Sequence, residues 1–266
     1  WTYVTGVQTC ALPIYDHFSV KAEGLLATSS FTKILSTSTN TSSSSVGKLN
    51  EVVLSCMEAS ENAIIATSHI LSSCYKSLSK SEIENNIDIL IEKLKNDMKR
   101  ITALRAINKI CSSKCDLSPY CKTIVKSVYP LLSKSDNSVK INSLEVLNSF
   151  VGKYGSELTD TLNDILNSTL AIISVENLQV ADWALDLLTK LSVYKLNSTT
   201  LHETIQKVTS LTESSFLIDK TTKKILTFFS TLAKNNNSLD YEDYISFLQG
   251  KVNVNCTVPA RCIAEI

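Results

Sequence analysis

Residues 116–155 read DLSPYCKTIVKSVYPLLSKSDNSVKINSLEVLNSFVGKYG. Leu117, Tyr120, Cys121, Ile124, Val125, Val128, Leu131 and Leu132 recur at steps of three and four, which places them on one face of a helix running to about Ser133. Ser135 and Asp136 form a polar corner. Val139, Leu144, Leu147, Phe150, Val151 and Tyr154 then mark the inner face of a second helix, with Asn148 on its outer face and Gly152 and Gly155 as terminators. Neither helix covers its own apolar stripe, so the two must pack on each other and the pair on further pairs.

The same unit recurs in both directions. Helical spacing appears at Val46–Met57, Ala63–Leu78, Ile83–Leu94, Ile101–Cys111, Leu158–Ile173, Val180–Val193, Leu201–Leu211, Ile218–Ala233 and Tyr241–Val252. Second helices are predicted to start near Phe18, Ser60, Asp97, Asp136, Glu176, Ser215 and Cys256. Those starts recur about every 40 residues, the period of a HEAT or armadillo solenoid. Two helices per unit favour HEAT. The fold class is therefore all-α, a HEAT-repeat α-solenoid fragment of about six helical hairpins over residues 15–266. Asp136, Val139 and Lys140 form a D-x-x-V-K pattern at the start of a second helix, and Asp97, Lys99 and Arg100 approximate it. Resemblance to HEAT stacks implies that such acids and bases interact with neighbouring repeats; the alternative, an N-cap acid followed by a surface base, needs no stack.

Composition agrees with this class. Of 266 residues 44% are hydrophobic, with six Gly and four Pro, enough apolar mass for a large core and few turn formers. Lys plus Arg and Asp plus Glu both number 26, so no net field would gather nucleic acid or an anionic membrane surface. No apolar run approaches the length of a membrane helix, and the chain reads as soluble, with no nucleic-acid or membrane partner.

Two stretches stand apart. Val4–Ile14, VTGVQTCALPI, reads as the in-frame translation of a sequencing adapter, and residues 1–14 are set aside as non-native. A short secretory segment is the rival, but no basic stretch precedes it, and Gln8, Thr9 and Pro13 interrupt its apolar run. On this reading the frame is a fragment of a longer protein. Ser36–Ser45, STSTNTSSSS, has neither apolar nor charged residues and reads as a loop, either a bare linker or a phosphorylation tract.

No catalytic constellation emerges. Cys111, Cys115 and Cys121 lack paired C-x-x-C spacing and a nearby His, so buried thiols fit better than zinc. One of the eight cysteines, Cys10, lies in the adapter-like segment, and the others read as reduced thiols. His17, His69 and His202 have no triad or ligand partner at a defining spacing. The N-x-S/T acceptors at Asn40, Asn167, Asn197, Asn236 and Asn255 are as many as chance gives at this Asn, Ser and Thr content. No cofactor, no metal and no catalytic site is assigned, and the residues of any partner-binding surface stay unknown. An enzyme built on Cys111–Cys121 is the catalytic alternative.

The order of local sequences carries a resemblance. NNIDILIEKLKNDMKRITALRAINKI at Asn85–Ile110 resembles the middle of the cullin-associated, neddylation-dissociated HEAT-repeat family, where a helix ending E-x-L-K-N-E precedes T-R-L-T and an A-L motif. Cys115 and Asp116 stand where that family has I-D-L. VKINSLEVLNSFVGKY at Val139–Tyr154 and the stretch Ile172–Leu191 resemble its following repeats in the same order, and Phe18–Ile34 with Ser55–Leu71 resembles those before. The similarity lies on core-facing positions. Departures are Ser36–Ser45 and the Asn-rich turn Asn235–Asn237. The resemblance implies a non-catalytic scaffold that wraps a cullin and its RING subunit, blocks neddylation and promotes exchange of substrate-receptor modules, in cytoplasm and nucleus. The family's blocking elements, near the two ends of its solenoid, lie outside this fragment. The alternative is another HEAT scaffold, of a nuclear-transport receptor or a phosphatase.

Overall fold

The computed structural model describes residues 24, 27, 32, 43–134, 136–194, 198–214, 217–235, 242–252 and 257–266. The adapter-like residues 1–14, most of Phe18–Ile34, residues 36–42, Ser135 and the starts expected at Phe18, Ser215 and Cys256 lie outside the described residues. In chain order the described helices are α1 (Ser43–Ser55), α2 (Glu61–Cys74), α3 (Lys80–Lys93), α4 (Arg100–Cys111), α5 (Cys121–Val128), α6 (Asn137–Tyr154), α7 (Leu162–Leu170), α8 (Leu178–Leu191), α9 (Ser198–Leu211), α10 (Asp219–Asn235), α11 (Glu242–Gln249) and α12 (Val258–Glu265). The fold is an all-α solenoid.

The chain divides after Tyr120 into two compact units, so the repeat read from residues 116–155 crosses the division. In the first unit α1 packs on α2, α3 on α4, and the second helices α2 and α4 stack. Their core is Ile64, Ile70, Leu71, Ile87, Leu90, Leu104, Ile107 and Ile110, all fully buried. In the second unit α5 packs on α6, α7 on α8 and α11 on α12, while α6, α8, α10 and α12 stack successively. Phe150, Phe228 and Phe229 are the largest side chains sealed inside it.

Local chemistry sets the helix starts. Ser60 accepts a hydrogen bond from the Asn62 N–H at 3.1 Å, Asp136 one from Ser138 at 2.6 Å and Asn177 one from Val180 at 3.3 Å, satisfying donors that the first turn leaves without partners. Ser79 and Glu82 form a reciprocal capping box on α3.

Several sequence expectations are corrected. The Ser-rich loop ends earlier than expected, because Ser43–Ser45 already belong to α1: Val46, Asn50 and Val53 are buried, and their packing extends the helix back into the serines. The helix expected through Ser133 leaves α geometry at Tyr129, where Pro130 lacks a donor, and finishes as a 3₁₀ turn over Tyr129–Ser133. The helix expected from Leu158 starts at Leu162, after turns closed by Leu158 onto Gly155 and Thr161 onto Leu158. Gly152 does not end α6; it lies within it. Gly155 follows the last turn with φ −61°, a right-handed conformation any residue adopts, so its glycine is not a left-handed cap. Asn148, expected on the outer face, is buried.

Candidate protein-binding site

What the second helices present depends on how each is fixed to the next. Between α6 and α8 the links end mostly on neutral acceptors. The Lys190 ammonium donates to the Asn148 carbonyl at 2.8 Å, Asn148 Nδ2 to the Trp183 carbonyl at 3.3 Å, and Asn177 Nδ2 to Asn137 Oδ1 at 2.8 Å. The Tyr194 hydroxyl reaches the Val151 carbonyl at 3.4 Å. A Cβ on Gly152 would lie 3.3 Å from Lys190 Nζ, and one on Gly155 would overlap the Tyr194 ring. The two glycines therefore make room for the following repeat.

Between α8 and α10 the link is ionic. Lys224 Nζ donates to the Asp182 carbonyl at 3.0 Å, to Asp182 Oδ2 at 2.8 Å and to Asp186 Oδ2 at 2.6 Å. Lys220 pairs with Asp182 Oδ2 at 3.0 Å, and the Thr221 hydroxyl donates to its Oδ1 at 3.3 Å. The Lys224 ammonium also lies 5.6 Å from the centre of the Trp183 ring. Burial raises the Asp182 carboxyl, but the Lys224 and Lys220 hydrogen bonds outweigh it and hold the group below the ordinary aspartate range. Burial likewise lowers Lys224, and its two aspartates reverse the shift upward.

In the first unit Lys99 Nζ donates to the Met57 and Glu58 carbonyls at 2.9 and 2.7 Å, and Lys93 pairs with the exposed Glu58. The Lys93 hydrogen bond holds the Glu58 carboxyl below its usual range. Thr102 donates to Glu61, and the Lys109 ammonium lies 2.7 Å from His69 Nδ1. Asn86 Nδ2 donates to Asn50 Oδ1 at 2.9 Å within the buried face between α1 and α3.

The sequence-selected residues divide clearly against this geometry. Cys111, Cys115 and Cys121 are all buried and in no disulfide, Cys111 and Cys115 in the first unit and Cys121 in the second. Burial pushes the Cys121 thiol up, with Glu157 adding to the shift. No group of three or more His, Cys, Asp and Glu among the described residues could hold a metal ion. His202 Nδ1 lies 3.3 Å from the Tyr244 hydroxyl and its Nε2 lies 2.7 Å from Gln206, while His17 is outside the described residues. In the Asn167 acceptor pattern, Thr169 is buried with its hydroxyl on the Ile165 carbonyl at 2.7 Å; Asn40, Asn197, Asn236 and Asn255 are outside the described residues. Asp136 caps its own helix, and the link to the following repeat at that level runs one residue later, from Asn177 to Asn137. Asp97 pairs within its own turn with Arg100.

Sequence reasoning missed Lys190, Tyr194, Asp182 and Lys224. The available signal was their spacing, since Lys190 and Asn148 stand one repeat apart, as do Lys224 and Asp182. On the outside, exposed aliphatic side chains gather at turns: Met98 is 82% exposed between α3 and α4, and Ile218 59% exposed just before α10. No described helix is long and apolar enough to cross a membrane.

Comparison with known proteins agrees with this architecture. Three engineered proteins of known crystal structure share the fold, with TM-scores of 0.59, 0.55 and 0.57 at 13%, 15% and 13% identity, over 83%, 82% and 94% of this chain and 93%, 97% and 65% of theirs. No family profile matches the sequence. The chain is 26% identical over 201 residues to the cullin-associated NEDD8-dissociated protein 1 of Drosophila melanogaster, and 26% identical over 178 residues to the protein of that name from Dictyostelium discoideum. These alignments take in 73% and 64% of this chain but only 16% and 14% of the relatives' own length. The resemblance read from the sequence is thus matched by two relatives of the same family name, and the chain is similar to the cullin-associated NEDD8-dissociated proteins.

Proposed function

We propose that the chain is a central segment of a non-catalytic cullin-binding scaffold that promotes exchange of substrate-receptor modules on a cullin and its RING subunit, in cytoplasm and nucleus. The observation that carries this reading is the pair of cullin-associated relatives aligned along the greater part of a stacked helical array. Such an array suits the task, because it offers one continuous surface of many small contacts and needs no reactive centre. The paired, capped or buried state of the sequence-selected side chains is consistent with a structural use for them.

Binding by many weak contacts makes length decisive. A piece spanning about a seventh of its relatives retains few of the contacts, and losing linked modules at both sides weakens binding by ~100-fold or more. The isolated chain is expected to bind an unmodified cullin–RING complex weakly or undetectably and to leave neddylation unaffected. The complete protein encoded by the parent transcript should bind that complex and be excluded once the cullin is neddylated. A pull-down from the same host with both cullin forms makes the comparison. Equal recovery of the two forms, or of neither, by the complete protein would reject the reading.

A further inference from the structure

The joints of the second unit differ in what they are made of. At α6–α8 the Lys190 ammonium and the Tyr194 hydroxyl end on main-chain carbonyls, which keep intrahelical partners when those donors are removed. At α8–α10 a largely buried carboxylate, Asp182, depends on ammonium groups from the next helix, and a second carboxylate, Asp186, stands one turn away on the same helix. Lys220, the other base on Asp182, is mostly exposed. Among the described residues only Lys224 contacts both carboxylates.

From this asymmetry we infer that the α8–α10 joint is a charge-operated latch: neutralising Lys224 releases α10 and α12 from α8, while α6 and α8 stay docked. Removing one partner of a buried ion pair leaves the other charge desolvated and uncompensated, which is far more disruptive than never having built the pair. Asp182 would then face Asp186 with the exposed Lys220 and the Thr221 hydroxyl beside it, and the stack relieves this by opening the groove to water. Opening at that joint does not expose the α6–α8 interface. Nearest-neighbour coupling in a repeat array allows such separation, because each repeat is held by its two neighbours alone. A binding surface laid across the second helices would change its course between α8 and α10 whenever Lys224 loses its charge.

Trp183 makes the latch observable, because Lys224 covers its ring and the chain has one other tryptophan, Trp1. In the full chain carrying Trp1→Phe, Lys224→Gln is expected to raise acrylamide quenching of the Trp183 emission. Amide exchange in α10 and α12 should accelerate by roughly tenfold or more, with α2, α4 and α6 unchanged. Lys190→Gln should leave both readouts within about twofold of the parent, since the Asn148 carbonyl it leaves keeps its helical partner. Lys224→Arg should retain the latch, and Asp182→Asn added to Lys224→Gln should recover part of the protection. A response of Lys224→Gln no larger than that of Lys190→Gln would overturn the inference. So would acceleration spread evenly over both units, or a double variant less protected than Lys224→Gln alone.

Discussion

Gly155→Ala separates two meanings of a glycine behind a helix. If Gly155 were a left-handed terminator, alanine would be penalised by its own dihedrals; but φ is −61° and ψ −29°, which suit alanine, and restricting the unfolded chain would by itself favour it by ~0.4–1 kcal/mol. What opposes it is the next repeat, together with the Val151 carbonyl one turn back in α6. The added methyl would overlap the Tyr194 hydroxyl and ring and would lie 2.7 Å from the Val151 carbonyl, closer than real Cβ atoms come. The ring must therefore leave its seat, losing its hydroxyl bond to Val151, about 0.5–1.5 kcal/mol, together with overpacking strain of about 1–3 kcal/mol. The net expectation is a loss of ~1–3 kcal/mol. Urea unfolding followed by helical circular dichroism measures it, with amide exchange across α6 and α8 giving the local value. In a Tyr194→Ala background only the Val151 carbonyl still opposes the methyl, so the penalty of Gly155→Ala should shrink and the two sites couple by ~1 kcal/mol or more. A stabilised Gly155→Ala in the parent chain would refute the reasoning, as would an unchanged penalty in the Tyr194→Ala background.

Gly152→Ala is the contrast: only the flexible end of Lys190 meets the new methyl, so it should stabilise α6 by up to ~1 kcal/mol in the same unfolding assay. Leu147→Ala, at a fully buried site, should cost about 2–5 kcal/mol by denaturation, against about 0.5 kcal/mol or less for the exposed Lys126→Ala. In the native chain a thiol reagent should label the half-buried Cys56 before Cys74, Cys111, Cys115, Cys121 or Cys262, and equally fast labelling of those five would contradict their burial. Asp182 is held below its unfolded value, so it stabilises above the ordinary carboxylate range, near pH 4, and that contribution is lost as pH falls through the lower folded value. Asp182→Asn should accordingly flatten the acid limb of stability measured in α8 and α10.

Helix existence was legible because burial repeats at the helical period: Ile124, Val125 and Val128, then Val139, Leu144, Leu147, Phe150 and Val151, are all interior as their spacing predicts. The period of the hairpins was legible for the same reason, one level up. The joints were not. Asn148 belongs by type to the surface, yet it is buried because Trp183 and Lys190 of the following repeat close over it, about 40 residues away in sequence. Gly155 looks like a terminator in sequence and is a seat for Tyr194 in space. Asp182 and Lys224 each fit an exposed helix position, and only their meeting makes them a buried pair. Periodicity reports which face of one helix avoids water; it contains no information on what stands opposite. In a repeat protein that missing term decides both stability and shape, since every unit takes much of its stability from its neighbours. Core positions can thus carry a family's collinear order while the joint residues vary between neutral and ionic links, as α6–α8 and α8–α10 do within one unit. The mechanical behaviour of such a scaffold is therefore written in pairs of polar residues one repeat apart, and comparing positions at that separation is the reading that would have found them.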